Sequence, residues 1–196
     1  LWGEALGAAL RDMSGHQGHG SVAHPHGILI TWATIMAGGI QVNRAGRRFS
    51  DETHGYSEQA VAVLRQPDGI AFDVFDERIA GIARQFEDFR NAEAQGAVLT
   101  APDLPSLAAT LRVPADGLAE TFAEIDAARA AGTTDRFGRD FSGVPALVPP
   151  YRAVRVTGAL FHTQGGLVVD HAARVLRPDG RALPNLWAAG GAAAGV

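Results

Sequence analysis

Between residues 38 and 56 the chain reads GGIQVNRAGRRFSDETHGY, which sets Arg47 and Arg48 beside Asp51, Glu52, His54 and Tyr56. Carboxylate, imidazole and phenol are the groups that carry protons in general acid–base chemistry, and neighbouring arginines set their charge balance. Two readings fit the stretch alone, a reactive site or a polar surface turn. Residues 14–27 hold His16, His19, His24 and His26 among glycines at 15, 18, 20 and 27. Neutral imidazole is the commonest metal ligand. The spacing matches no zinc signature and no acidic residue stands within the stretch, so a plain or active-site loop without metal is expected. Near the end of the chain, LWAA runs into Gly190-Gly191. A strand that enters glycines lets backbone approach a phosphate or a flavin ring.

Composition removes several chemistries. The 196 residues contain no cysteine, which excludes disulfides, thiolate catalysis and cysteine-ligated zinc. All 17 basic residues are arginine, so Schiff-base catalysis is excluded too. A net charge of −4 and an ordinary apolar content argue for a globular protein with no nucleic-acid footprint. No apolar run reaches the length of a membrane span and no signal-peptide pattern opens the chain, so a cytoplasmic location is the expectation. Both ends look cut from something longer.

Local patterns supply the elements that must position these groups. Residues 1–13 have apolar positions at helical spacing and predict a small-residue helix. Residues 27–36 are a buried apolar segment, either strand or short helix. Ile40 and Val42 lead into Asn43-Arg44-Ala45-Gly46 and back through Arg47–Phe49, which predicts a hairpin followed by a helix capped by Ser57. Residues 70–75 alternate Ile70, Phe72, Val74 against Ala71, Asp73, Phe75 and predict a strand. Residues 77–91 are amphipathic and predict one helix with a solvated charged face. A short extended piece at 98–99, helices at 103–111 and 117–131, and a linker over 132–150 follow. Strands are expected at 151–157 and 167–170, a small hairpin around Pro178-Asp179-Gly180, and a buried strand at 186–189.

Three stretches in this order resemble one family. VNRAGRRFSDE resembles the cap-domain signature of flavoproteins related to fumarate reductase, succinate dehydrogenase and 3-ketosteroid Δ1-dehydrogenase. PPYRAVRV with HTQGGLVVD resembles the return from cap to FAD domain, and RVLRPDGRALPNLWAAGG the segment that ends on the flavin. The resemblance covers nearly the whole chain. It implies an α+β capping domain over 27–150, flanked by two segments (1–26 and 151–196) of a Rossmann-like FAD-binding domain. The family's amino-terminal GxGxxG is not in this sequence, so the chain is expected to carry the cap and only the edge of the cofactor site.

The resemblance also implies roles. FAD is the cofactor, and Gly165, Gly166, Ala189, Gly190 and Gly191 are its expected contacts; Gly190-Gly191 replaces the Gly-Glu often found there. The family moves a hydride between substrate and flavin N5 while a cap residue handles the proton on the adjacent carbon. Fumarate reductases place an arginine four positions after the signature glutamate; here that position is Tyr56, as in ketosteroid dehydrogenases. Tyr56 is thus the expected catalytic residue with His54 next in line, or else Tyr56 is a packing residue at a helix start. A phenol, ordinarily of pKa near 10, needs cations or donors close by to act as a base. His24 in His-Pro, Phe161, His162 and Thr163 are the expected substrate contacts. Phe161 stands where fumarate reductases use a histidine to hold a carboxylate, which argues against a dicarboxylate. The expected partners are a small-molecule substrate and the remainder of the FAD-binding domain. A dicarboxylate-specific enzyme and a non-catalytic capping module are the alternatives.

Overall fold

A computed structural model describes residues 2–195; Leu1 and Val196, at the ends of the expected first helix and the terminal glycine-alanine run, lie outside the described residues. In chain order the elements are α1 (Trp2–Ala5), β1 (Leu10–Arg11), β2 (His16–Ala23), β3 (Ile28–Leu29), α2 (Ala33–Met36) and β4 (Ile40–Val42). Then come α3 (Tyr56–Leu64), β5 (Ile70–Asp76), α4 (Glu77–Ala83), α5 (Glu87–Ala94), β6 (Val98–Ala101), α6 (Leu104–Leu111) and α7 (Ala115–Ala131). The chain closes with β7 (Tyr151–Thr163), β8 (Gly166–Leu167), β9 (Arg174–Leu176) and β10 (Ala182–Trp187). It divides into two compact units, one of Leu1–Gly18 with Leu160–Val196, the other His19–Ala159; the divisions fall within β2 and β7.

The larger unit is α+β, built on an antiparallel sheet in the order β3-β2-β7-β5-β4, with β6 also on β7. β5 is buried along its whole length, and its alternation assigns residues to two cores. Ile70, Phe72 and Val74 join α6 and α7 through Leu107, Leu111, Leu118 and Ile125. Ala71 and Phe75 join Val63 of α3, Ile79 and Ala83 of α4, and Phe89 and Ala92 of α5. α3 lies low on the sheet because glycines make room. A Cβ on Gly20 of β2 would sit 2.9 Å from the Gln59 backbone, and one on Gly158 of β7 would sit 2.6 Å from the Ala60 carbonyl. Close approach of this kind is the usual reason for glycine inside a strand.

Several local expectations are corrected. The first helix stops at Ala5, since Gly7 takes a left-handed φ of 80° and Ala8 N–H closes back on the Gly3 carbonyl; β1 follows. Most of the histidine loop is strand β2, its period hidden by Gly18 and Gly20. The 27–36 segment splits into β3 and α2. The Asn43–Gly46 turn forms, with Asn43 N–H donating to the Arg47 carbonyl, but residues 47–49 form no strand and β4 pairs with β5 instead. Gly55, not Ser57, precedes α3. The 77–91 helix breaks before an extended Phe86, and the bend lets Arg84 hold Glu77 at 2.6 Å and Glu93 at 2.8 Å, so part of its charged face is a staple. The 132–150 segment is more than a linker, because Arg139 and Phe141 are buried within it.

The smaller unit pairs β1 with β8 and β9 with β10 around Ala8, Val175, Leu183, Ala188 and Ala193. The strand expected at 167–170 is only Gly166–Leu167 plus a Val169–Val175 bridge. The expected buried strand at 186–189 is the end of β10, with Trp187 58% exposed.

Candidate active site

In the larger unit the polar residues of the 38–56 stretch separate into a buried brace and a ring cluster. Glu52 is the hub of the brace and is 1% exposed. Its Oε1 accepts from Arg48 Nε at 2.8 Å and from the Gln41 backbone at 2.9 Å, and its Oε2 accepts from Arg48 at 2.7 Å and Arg139 at 2.9 Å. Arg48 also pairs with Asp135 and lies over the Phe141 ring, its carbon 5.0 Å from the centroid. Burial opposes the Arg48 charge, yet hydrogen bonds and attraction from Glu52 and Asp135 win and raise its pKa. Arg139 also donates from Nη1 to the Gly39 carbonyl at 3.0 Å and from Nη2 to the Ile35 carbonyl at 3.2 Å. The brace fixes the one-turn helix at Glu52–His54, where Asp51 caps Thr53 N–H at 2.8 Å, and α3 begins directly after it.

Tyr56 opens α3, half-buried. Its ring stacks on His19, centroids 5.0 Å apart and planes 22° apart. Trp32 meets His19 edge-on at 5.6 Å and Tyr56 at 6.4 Å. His19 is 4% exposed, and its Nδ1 accepts the Ser21 N–H at 3.1 Å. Burial pushes its pKa down to about 4. Behind it, Ser21 Oγ donates to Asp73, and Gln41 Nε2 donates to the same carboxyl at 2.8 Å. Burial pushes Asp73 up to about 7, against the two hydrogen bonds and with repulsion from Glu52.

The expected residues fall in different places. His54 is turned outward, 73% exposed, with Nε2 3.6 Å from Asp51 Oδ2. His24 is exposed in the β2–β3 turn. In the smaller unit Phe161 and His162 are exposed at the end of β7, ring against ring at 4.2 Å. Among the described residues no group of histidines and carboxylates is arranged to hold a metal. Sequence reasoning passed over Trp32 and Arg139 and saw His19 only as one of four loop histidines. Alternation of His19, Ser21 and Ala23 along β2 was the available signal for that histidine.

The smaller unit also contains a cavity of about 280 Å³ lined by Gly3, Glu4, Leu10, Met13, Thr163, Gly165, Gly166, Leu167, Gly191 and Ala192. Four expected contacts meet here: Thr163, Gly165, Gly166 and Gly191. Thr163 Oγ1 donates to the Gly191 carbonyl at 3.3 Å. A Cβ on Gly165 or Gly166 would strike backbone of Asp12 or Ala192, whereas one on Gly191 would meet only Thr163 Oγ1, at 3.8 Å. Gly191 therefore presents bare backbone to open space, as a cradle for a flat ring requires. The expected contacts Ala189 and Gly190 are exposed and stand outside the lining.

The profile of the family described as FAD binding domain matches residues 3–196. The chain belongs to that family. It is a flavoprotein of the superfamily that holds fumarate reductases and 3-ketosteroid dehydrogenases, and FAD is its cofactor. It is 28% identical to a probable fumarate reductase of Shewanella frigidimarina over 100% of this chain and 33% of that protein. It is 31% identical to a 4-oxocyclohexanecarboxylate 2-dehydrogenase of Sinomonas cyclohexanicum, covering 86% of this chain and 33% of that one. Its fold matches the open conformation of a flavocytochrome c3 fumarate reductase with a TM-score of 0.79 at 28% identity, over 98% of this chain and 34% of that chain. The chain thus spans about a third of the length of these curated relatives. Among the described residues no helix is long and apolar enough to cross a membrane.

Proposed function

We propose that this chain is the cap and part of the cofactor edge of an FAD-dependent oxidoreductase acting on a carbon–carbon bond next to an activating carbonyl. The capping domain expected at residues 27–150 lies within the larger compact unit and serves as the cap. Bound FAD supplies the hydride donor or acceptor. Gly165, Gly166 and Gly191 hold one edge of the cofactor beside Thr163, the bare backbone of Gly191 permitting close approach. Tyr56 moves the proton at the carbon next to the one that exchanges hydride, through its phenol oxygen.

The observation that carries this reading is the Tyr56–His19 stack: the proton-transfer residue sits against an imidazole that is uncharged at neutral pH. Arg48 and Arg139, the buried cations of the brace, are engaged by Glu52 and Asp135. Such a site suits a neutral carbonyl compound. The relative named for an oxocyclohexane substrate agrees with that choice. A second reading, a dicarboxylate reductase, is favoured by the relative named as a fumarate reductase. The flavin spectrum separates them in a single turnover. Oxidised FAD-loaded protein bleached by a cyclic ketone supports the first; reduced protein reoxidised by fumarate but inert to ketones supports the second.

A further inference from the structure

We propose that His19 is a positioning residue for Tyr56, an imidazole anchored in the sheet that fixes the plane and place of the phenol ring. The inference rests on the reading of Tyr56 as the proton-transfer residue, and it needs no charge on the imidazole.

Tyr56 stands at the very start of its helix. It is the first residue of α3, and the preceding Gly55, at φ 139°, has no side chain with which to cap the helix. A residue whose oxygen must meet a substrate carbon within a few tenths of an ångström cannot be left to such a terminus, because small misplacements cost large factors in rate.

His19 comes from β2, a different element, and its own ring is locked. Nδ1 accepts the Ser21 N–H, which leaves Nε2 as the protonated nitrogen and fixes the ring about its bond to the backbone. Ser21 is tied by its hydroxyl to Asp73 on β5, and Asp73 is tied by Gln41 on β4, so the imidazole is fastened to three strands of the sheet. Trp32, just before α2, closes the cluster edge-on to both rings. Near-parallel stacking at 5.0 Å with an edge-on third ring is the preferred geometry of aromatic groups. A neutral ring in this position orients the phenol without adding a fixed charge beside the reacting atoms.

The test compares His19→Ala, which removes the ring, with His19→Phe, which keeps a ring and loses the nitrogens. The chain has two tyrosines, so ring signals of Tyr56 and Tyr151 in ¹³C-tyrosine-labelled protein are assigned with Tyr56→Phe alone. The Tyr56 ring signal should be displaced by the ring current of His19, lose that displacement in His19→Ala and keep most of it in His19→Phe. In the whole enzyme of which this chain is proposed to be part, loaded with FAD, single-turnover flavin reduction should slow about 10–100-fold in His19→Ala with substrate affinity little changed, and recover largely in His19→Phe. On a Tyr56→Phe background His19→Ala should add almost nothing, since both changes act through one group. An unmoved Tyr56 signal in His19→Ala, or equal rate losses in the two His19 variants, overturns the proposal. Should His19→Ala fail to fold, cross-relaxation between the His19 and Tyr56 rings in the unmodified protein decides, and its absence overturns the proposal. The spectroscopic readouts stand apart from catalysis. A Tyr56→Phe protein with full activity would instead remove the functional reading and leave the ring stack in place.

Discussion

Arg139 reaches Glu52 across 87 residues of sequence, its Nη1 2.9 Å from Oε2, both side chains almost fully buried. One ion pair thus joins the loop after α7 to the turn that launches α3, and Arg48 holds the same carboxylate from the other side.

Glu52→Gln should therefore be costly. It leaves two buried guanidinium groups facing a neutral amide, and breaking a buried pair from one side typically costs about 3–5 kcal/mol. In a protein of this size that lowers the melting temperature by on the order of 10 °C. Urea denaturation of the two proteins measures it, and a loss below roughly 1 kcal/mol would show that the brace does not hold the cap together.

The pH dependence of stability should split between two buried groups with opposite signs. His19 has its pKa lowered from 6.5 to about 4, so the unfolded chain binds the extra proton between those values. Its contribution is fully present above pH 6.5 and is lost as pH falls toward 4. Asp73 is raised from 3.8 to about 7, so the folded chain binds the extra proton, and its contribution is lost as pH rises through that window. The two slopes offset each other in the unmodified protein. Asp73→Asn removes one and should leave stability rising between pH 4.5 and 6.5, steeper than before by about 1.4 kcal/mol per pH unit. Parallel curves for the two proteins from denaturant titrations would contradict this assignment.

Elements with local signals were legible in the sequence. The Asn43–Gly46 turn, the alternation of β5 and the Asp103 cap of α6, which accepts Ser106 N–H at 2.7 Å, all depend on residues close in the chain. β2 was not, because the glycine that admits α3 also erases strand propensity, and that requirement comes from Gln59 and Ala60 far along the chain. Tyr56 was found through its spacing from Glu52. His19 was seen only as one histidine among four, since its role depends on which strand face meets which helix start. Arg139 was likewise hidden in a segment whose prolines and glycines read as linker, although its Nη1 and Nη2 donate to groups in two other segments.

The cofactor edge is best tested at Gly191. A Cβ there meets only Thr163 Oγ1 at ordinary contact distance, so Gly191→Val should fold normally while filling the cavity beside Gly165 and Gly166. In the whole enzyme of which this chain is proposed to be part, FAD content after purification, read from the flavin absorption, should fall at least about tenfold with an unchanged circular dichroism spectrum; the equivalent of one factor of ten is about 1.4 kcal/mol of binding. Undiminished FAD content would place the cofactor elsewhere.

The central claim is that Tyr56 carries the proton. Tyr56→Phe keeps the ring that stacks on His19 and removes only the hydroxyl, so at most about 1 kcal/mol of stability goes with one hydrogen bond. Stopped-flow measurement of flavin reduction in a single turnover of the intact parent enzyme isolates the chemical step from product release. The account predicts a rate lower by about 10²–10⁴-fold, the usual contribution of a positioned acid or base, with the fold intact. A reduction rate equal to that of the unmodified protein would contradict it and leave Tyr56 as a packing residue at the start of α3.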